Sequence, residues 1–297
     1  MPDTRIPVVL DCDTANEIDD QFAIAYALGS PLLDVRGVVS VHNTLIHGSG
    51  SVEKYQEEAE RVVRLCGRTD VRCIHGAIAP METRGDSVRS EGLDFLIAEA
   101  RAATQPLTII ATGPATDIAS LALIAPELAA QVRVVWLGGF GSPEVFTRYR
   151  IAELNGRADI AAWRVLLASS LPLVQLPGWP GVAKLDIEYD AGATELRALN
   201  RPIADYLADI LLAWHNAHPV TNTNESHRKI LWDAACVATL TVPDAVTLTP
   251  TTVPTLDAAA AHDFTRPGRV VDVLTDLNAT RIRADLRAAL LRHPETL

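Results

Sequence analysis

The chain has 297 residues, 48 % of them hydrophobic, and a formal net charge of −11. That length suits a single α/β domain over 1–297, and the apolar content is enough for a buried sheet. The acidic balance excludes a nucleic-acid partner, because such a binder needs a basic stripe to displace counterions from phosphate. The opening string MPDTRIPVVLDCD has neither a basic stretch nor a long apolar run, and no later run reaches transmembrane length. A cytoplasmic protein with no membrane partner is expected. Cys12, Cys66, Cys73 and Cys236 are scattered, without a CxxC pair or zinc spacing, and read as free thiols of a reducing compartment.

In chain order, the apolar run IPVVLDC (6–12) predicts a strand, and IDDQFAIAYALG (18–29), with apolar residues three and four apart, predicts a helix. LDVRGVVSV (33–41) predicts a second strand and VEKYQEEAERVVRLCG (52–67) a long helix with a polar face. PLTIIATG (106–113) leads into a helix over ATDIASLALIAPELAA (115–130). VRVVWLGG (132–139) leads into a loop and the helix GRADIAAWRVLLAS (156–169), and LPLVQLPG (171–178) closes the clear series. Beyond residue 190 the pattern is mainly helical through KILWDAACVATL (229–240). VTLTPTTVPT (246–255) reads as edge strands and turns, and NATRIRADLRAALL (278–291) as a last helix. Short β-rich runs alternating with helices predict an α/β fold whose mostly parallel sheet is flanked by helices. Ligands of such sheets bind at the carboxyl ends of the strands, so the strand-to-helix turns carry the function.

The first of those turns is acidic. Asp11 and Asp13 end the first strand, and Asp19 and Asp20 start the helix after it. One carboxylate at a helix start is usually a cap. Four within ten residues, beside an apolar strand, repel one another unless a cation or shared protons relieve them. Oxygen donors of this kind suit Ca²⁺ or Mg²⁺ rather than zinc. VVLDCDT also allows a DxDxT phosphatase reading, with the first Asp as nucleophile. That pattern needs a later acidic pair, whereas the later strands end in ATGP, LGGF and LPGW.

The segments VVLDCDTANEIDDQFAIAYAL, LTIIATGPATDIASLALIAPELA, VVWLGG, AELN and LWDAACVATL resemble the signature blocks of the nucleoside hydrolases, in the family's order, from about residue 6 to residue 245. The resemblance implies a Rossmann-like fold, a nucleoside as small-molecule substrate, a homo-oligomer (dimer or tetramer), and calcium-dependent cleavage of the N-glycosidic bond to ribose and free base, of purine nucleosides above all. Asp13 resembles the metal-bound carboxylate that also orients or deprotonates the attacking water. Asp20 resembles a second calcium ligand, Thr112 the residue lending a backbone carbonyl to the ion, and Asp233 the late aspartate that meets both calcium and sugar. Asp19 resembles the carboxylate that grips the ribose 2′ and 3′ hydroxyls, and Glu153 and Asn155 a ribose-binding pair. Asp11 looks like a carboxylate behind them that steadies the loop. A binding protein that keeps these residues without turnover is the alternative of another class.

The sequence departs from the family pattern in places. The usual first block is DxDxGxDD, but TANEI makes the segment between Asp13 and Asp19 two residues longer, so the loop bulges or Asn16 and Glu17 join the site. The asparagine usual after the second strand is displaced, leaving His42 and Asn43 as its neighbours, with Asn43 taken as the substrate-side residue. Where one branch of the family places a histidine, this chain has Trp232, which resembles the purine-preferring branch and its stacking indole. Residues 77–92 hold no aromatic side chain for a second stacking ring. The stretch AWHNAHPVTNTNESHRK offers Trp214, His215, His218, His227 and Arg228 on the leaving-group side, where a histidine could act as general acid.

Overall fold

The alternating pattern becomes an eight-stranded sheet in the computed structural model, which describes residues 5–150, 153–218 and 227–296. The strands are β1 (Ile6–Cys12), β2 (Leu33–Ser40), β3 (Arg72–His75), β4 (Leu107–Ala111), β5 (Val132–Leu137) and β6 (Leu173–Leu176). A separate two-stranded pair, β7 (Asp186–Glu188) and β8 (Arg228–Ile230), precedes β9 (Val246–Leu256) and β10 (His262–Leu277). The large sheet runs β3-β2-β1-β4-β5-β6-β10-β9, parallel throughout except for the antiparallel pair β9–β10. From β1 the chain builds outward to β3, then returns to lay β4 on the other side of β1. That reversal opens a crevice at the carboxyl ends of β1 and β4.

The helices are α1 (Asp19–Gly29), α2 (Thr44–His47), α3 (Ser51–Leu65), α4 (Glu91–Ala102), α5 (Thr116–Ile124) and α6 (Pro143–Tyr149). They continue with α7 (Asn155–Ala158), α8 (Ile160–Ala168), α9 (Tyr189–Arg197), α10 (Pro202–Ala217), α11 (Ala234–Thr241) and α12 (Ala279–Leu290). Side chains alternate across each strand, so the sheet feeds two cores. Val8, Leu10 and Cys12 pack under α1, α3 and α9 to α12, while Val9 packs under α4, α5 and α8. Residues 246–255 do form an edge strand, where Pro250 and Pro254 cost no ladder bond to a further neighbour.

Elsewhere the structure differs from the expected elements for local reasons. The short edge strand β3 buries only Ile74, too little apolar signal to stand out. Helix α4 and the long strand β10, interrupted in register around Pro267, also have no expected counterpart. The expected helix over 115–130 stops at Ile124, because Pro126 cannot continue it and starts a separate 3₁₀ turn. The expected helix over 229–240 is corrected most usefully. Lys229 pairs with Ile187 in β8, and Asp233 sits at the N-cap of α11 instead of inside a helix. Cys12, Cys66, Cys73 and Cys236 are all free, and among the described residues no helix is long and apolar enough to cross a membrane.

Candidate active site

Asp11 and Asp13 leave β1, Asp19 and Asp20 open α1, Thr112 leaves β4, and Asp233 opens α11. All lie at or near the crevice set by the strand order, and all are 4 % exposed or less. A cavity there is lined by Asp13, Asp19, Asp20, Thr112 and Asp233, and by Glu153 and Asn155. Trp179 and Trp232 also line it. The sequence-predicted residues thus converge, with Asp11 and Asn43 standing behind the lining.

An aspartate at an N-cap ordinarily accepts a backbone N–H of the first turn. Asp233 makes no such bond, so its carboxylate is left for the cavity. Asp20 accepts the Thr112 hydroxyl at 2.7 Å, and Asp13, Cys12 and Asp233 stand close enough to bear on its charge. Asp13 Oδ2 accepts from Asn43 Nδ2 at 2.5 Å and from Asn16 Nδ2 at 3.0 Å. Burial and the neighbouring carboxylates push Asp13 and Asp233 well above the usual carboxylate range. Burial raises Asp20 too, and lifts Asp19 to about 7 although Lys229 pulls the other way. Asp11 is raised by burial and then by Asp117, Asp13 and Asp20, and neither of its carboxylate oxygens has a hydrogen-bond partner among the described residues. Any steadying of the loop by Asp11 therefore does not run through hydrogen bonds of its side chain.

Among the described residues no three His, Cys, Asp or Glu side chains stand as a closed metal cage. The carboxylates touch each other instead, and such contacts persist at neutral pH only with shared protons or a cation between them. The donors Asp13, Asp20, Asp233 and the Thr112 carbonyl are all oxygens, which fits a hard divalent ion.

Glu153 and Asn155 line the cavity and also build it. Glu153 Oε1 accepts from the amides of Gly139 and Gly156, and Oε2 from that of Arg157, which caps α7. Asn155 Nδ2 donates to the carbonyls of Thr112 at 2.7 Å and Leu137 at 2.9 Å, tying β4 to β5 beside the acids. Gly139, at φ 74, makes the approach to Glu153 possible, since a Cβ there would lie 2.3 Å from Gln175.

The longer first loop takes part. Ala15 adopts φ 76 where the family pattern has glycine, and Asn16 N closes a turn onto Asp13 O at 2.8 Å. The turn puts Asn16 on Asp13 and Glu17 on the cavity wall. His42 points away from the cavity. Its Nε2 meets the Thr116 hydroxyl, which donates to Asp159, so Nε2 carries the proton and donates. Burial holds His42 neutral, down to about 4.

Residues 77–92 supply no second aromatic ring, and the other indole that lines the cavity comes from elsewhere in the chain. Trp179, after β6, lies 4.9 Å from Trp232 at 60°, and Tyr149 stacks on Trp179 at 4.6 Å and 4°. Its signal is the strand end LPGW, an aromatic at the carboxyl end of a parallel strand. The candidate leaving-group histidines lie elsewhere. His215 stacks on Tyr189 and His218 on Trp214, while Arg228 pairs with Asp186 and His227 is exposed. None of these, and no other described histidine, lines this cavity. Residues 219–226 of that stretch, like Ala152 of AELN, lie outside the described residues.

A family model described as inosine-uridine preferring nucleoside hydrolase matches residues 8–284. The pyrimidine-specific ribonucleoside hydrolase RihA of Photobacterium profundum is 30 % identical over 232 residues, 69 % of this chain and 70 % of that protein. The protein of the same name from Escherichia coli O1:K1 / APEC is 30 % identical over 234 residues, with the same shares. Among solved structures, the purine-preferring ribonucleoside hydrolase from Gardnerella vaginalis superposes with a TM-score of 0.78 at 21 % identity, over 96 % of this chain and 98 % of that one. The plant nucleoside hydrolase PpNRh1 gives 0.75 at 18 %, with the same coverage. These two likenesses speak for the fold. The family match and the curated relatives speak for the chemistry, against the phosphatase and the binding protein without turnover: the chain belongs to the inosine-uridine preferring nucleoside hydrolases, enzymes that hydrolyse N-glycosidic bonds.

Proposed function

We propose that the protein is a calcium-dependent ribonucleoside hydrolase that prefers purine nucleosides. The observation that carries the purine preference is the indole pair Trp179 and Trp232, which lines the same cavity as the carboxylates and is backed by Tyr149. Two inclined rings offer a fused bicyclic base more contact than a single pyrimidine ring. The relatives divide between pyrimidine-specific and purine-preferring enzymes, so this geometry supplies the argument.

Asp13, Asp20, Asp233 and the Thr112 carbonyl would hold the ion. Bound there, calcium supplies a positive charge that eases deprotonation of water and draws the sugar hydroxyls to the acidic wall. Asp13 takes the proton of the attacking water at its carboxylate, which Asn43 and Asn16 hold by Oδ2. Asp19 grips the 2′ and 3′ hydroxyls, and Glu153 and Asn155 add contacts to the sugar from beside the acids. As the base leaves, oxocarbenium charge builds on the ribose and the surrounding carboxylates stabilise it. Trp232 and Trp179 hold the base and exclude water around it. The free thiols fit a reducing cytoplasm, and we extend the proposal to a homo-oligomer.

The test is a panel of inosine, adenosine, guanosine, uridine and cytidine with calcium, scored by ribose released. Trp232→Ala should lower kcat/KM for the purines by up to about tenfold and for the pyrimidines by less, given about 0.5–1.5 kcal/mol for a lost aromatic contact. Equal losses on both classes would remove the stacking argument. Asn43→Ala should lower kcat by about tenfold with KM little changed, because it frees Asp13 without touching substrate. An unchanged kcat would remove Asn43 from the machinery.

A further inference from the structure

We propose that Lys229 is a positioning residue for the sugar side of the cavity: one buried ammonium fixes Asp19 and the inserted Glu17 in a single arrangement. The proposal rests on the reading of Asp19 as the sugar-gripping carboxylate. Lys229 is 0 % exposed, in the middle of β8, so it is shut off from substrate. Its Nζ is hydrogen-bonded to Glu17 Oε2 and lies 3.8 Å from Asp19 Oδ1. The face of Trp214 stands 5.3 Å from the same nitrogen.

A buried ion pair gives little stability over an apolar side chain of the same length, because desolvation offsets most of the attraction. What it does give is geometry. Glu17 belongs to the segment that is two residues longer than the family pattern, and its turn is closed by Ala15 at φ 76 and by Asn16 N on Asp13 O. Asn16 and Glu17 line the active-site cavity on one side and a neighbouring groove with Ile46, Tyr206 and Trp214 on the other. The inserted loop is thus a partition between the two spaces, and Lys229 is the clamp that holds it. Without the ammonium, Glu17 and Asp19 repel, the partition swings away and the sugar wall loses its register.

The experiment compares ribonucleoside and 2′-deoxyribonucleoside hydrolysis in Lys229→Met, Glu17→Gln and the double variant, with melting temperature alongside. Lys229→Met should raise KM for the ribonucleoside by about tenfold, change kcat far less, and cut the ribo-over-deoxy preference by a similar factor. Glu17→Gln alone should have about a threefold effect in the same direction. The double variant should be no worse than Lys229→Met alone, because the repulsion between Glu17 and Asp19 is gone. Wild-type kinetics in Lys229→Met, or losses that simply multiply in the double variant, would overturn the proposal. If Lys229→Met does not fold, Glu17→Gln decides: it alters a partly exposed loop residue, and an unchanged sugar preference there overturns the clamp. A wild type that releases ribose from no ribonucleoside overturns the sugar assignment itself and the clamp with it, whereas an active wild type with an indifferent clamp overturns the clamp alone.

Discussion

Asp13→Asn is expected to lower kcat by about 10³-fold at saturating calcium, within the 10²–10⁴ range of a positioned general base. The isosteric amide can still present an oxygen to Asn43 and Asn16, which now meet Asp13 Oδ2 at 2.5 Å and 3.0 Å. Neither the loop nor the sugar wall then has reason to move, so KM should stay within a few-fold. The electrostatics make a second, opposite demand. Asp13 is 3 % exposed, and burial and then Asp20 raise its pKa well above the ordinary range, which means that its charge opposes folding when no cation is bound. Removing that charge should leave the metal-free melting temperature unchanged or raise it. Lost turnover with an unimpaired melting temperature supports a chemical role. Lost turnover with a collapsed melting temperature would make Asp13 structural, and retained turnover would reject it as the base.

The parts of this site legible in the sequence are those whose chemistry conflicts with their place. Four acids at the end of an apolar strand cannot all be caps, and Asp233 beside a buried apolar helix needs a partner. The structure brings Asp13, Asp19, Asp20 and Asp233 to one cavity, with Asp11 buried behind them. The parallel sheet was legible for a similar reason, because strands buried on both faces read as unbroken apolar runs. What escaped lacked such a conflict. Lys229 looks like an ordinary cation until the fold seals it, and its meeting with Glu17 spans 212 positions. Trp179 stands alone after a strand, and only the fold stacks Tyr149 on one side of it and tilts Trp232 on the other. Glu153 was legible only as a sugar ligand. Its carboxylate also caps α7, while the side chain lines the cavity.

Removing calcium should abolish hydrolysis reversibly and, more tellingly, invert how stability follows pH. The folded pKa values of Asp11, Asp13, Asp19, Asp20 and Asp233 are all raised, by burial first; that of Asp19 reaches about 7. A carboxylate raised in this way favours the folded state in full below its unfolded pKa, about 3.9. That contribution is lost as pH rises through the folded value. Buried His42, held down to about 4, has the opposite sense: its contribution is present above the ordinary histidine value and is lost on acidification. Between about pH 6.5 and 8 the folded His42 is already neutral, and only its unfolded form, half protonated near 6.5, still titrates. Together with the likewise lowered His47, His262 and His293 it adds a smaller opposing slope, and the carboxylates dominate. Metal-free protein should therefore melt about 5 °C or more lower at pH 8 than at pH 6.5, since each unit of differential titration is worth about 1.4 kcal/mol. With saturating calcium the ion replaces the shared protons, and the melting temperature should be flat or rising over the same window. Differential scanning fluorimetry in chelator and in calcium decides the matter. A metal-free protein that grows more stable toward pH 8 would mean that the acids are already neutralised by the chain itself. A calcium effect equal at both pH values would place the ion away from Asp13, Asp20 and Asp233.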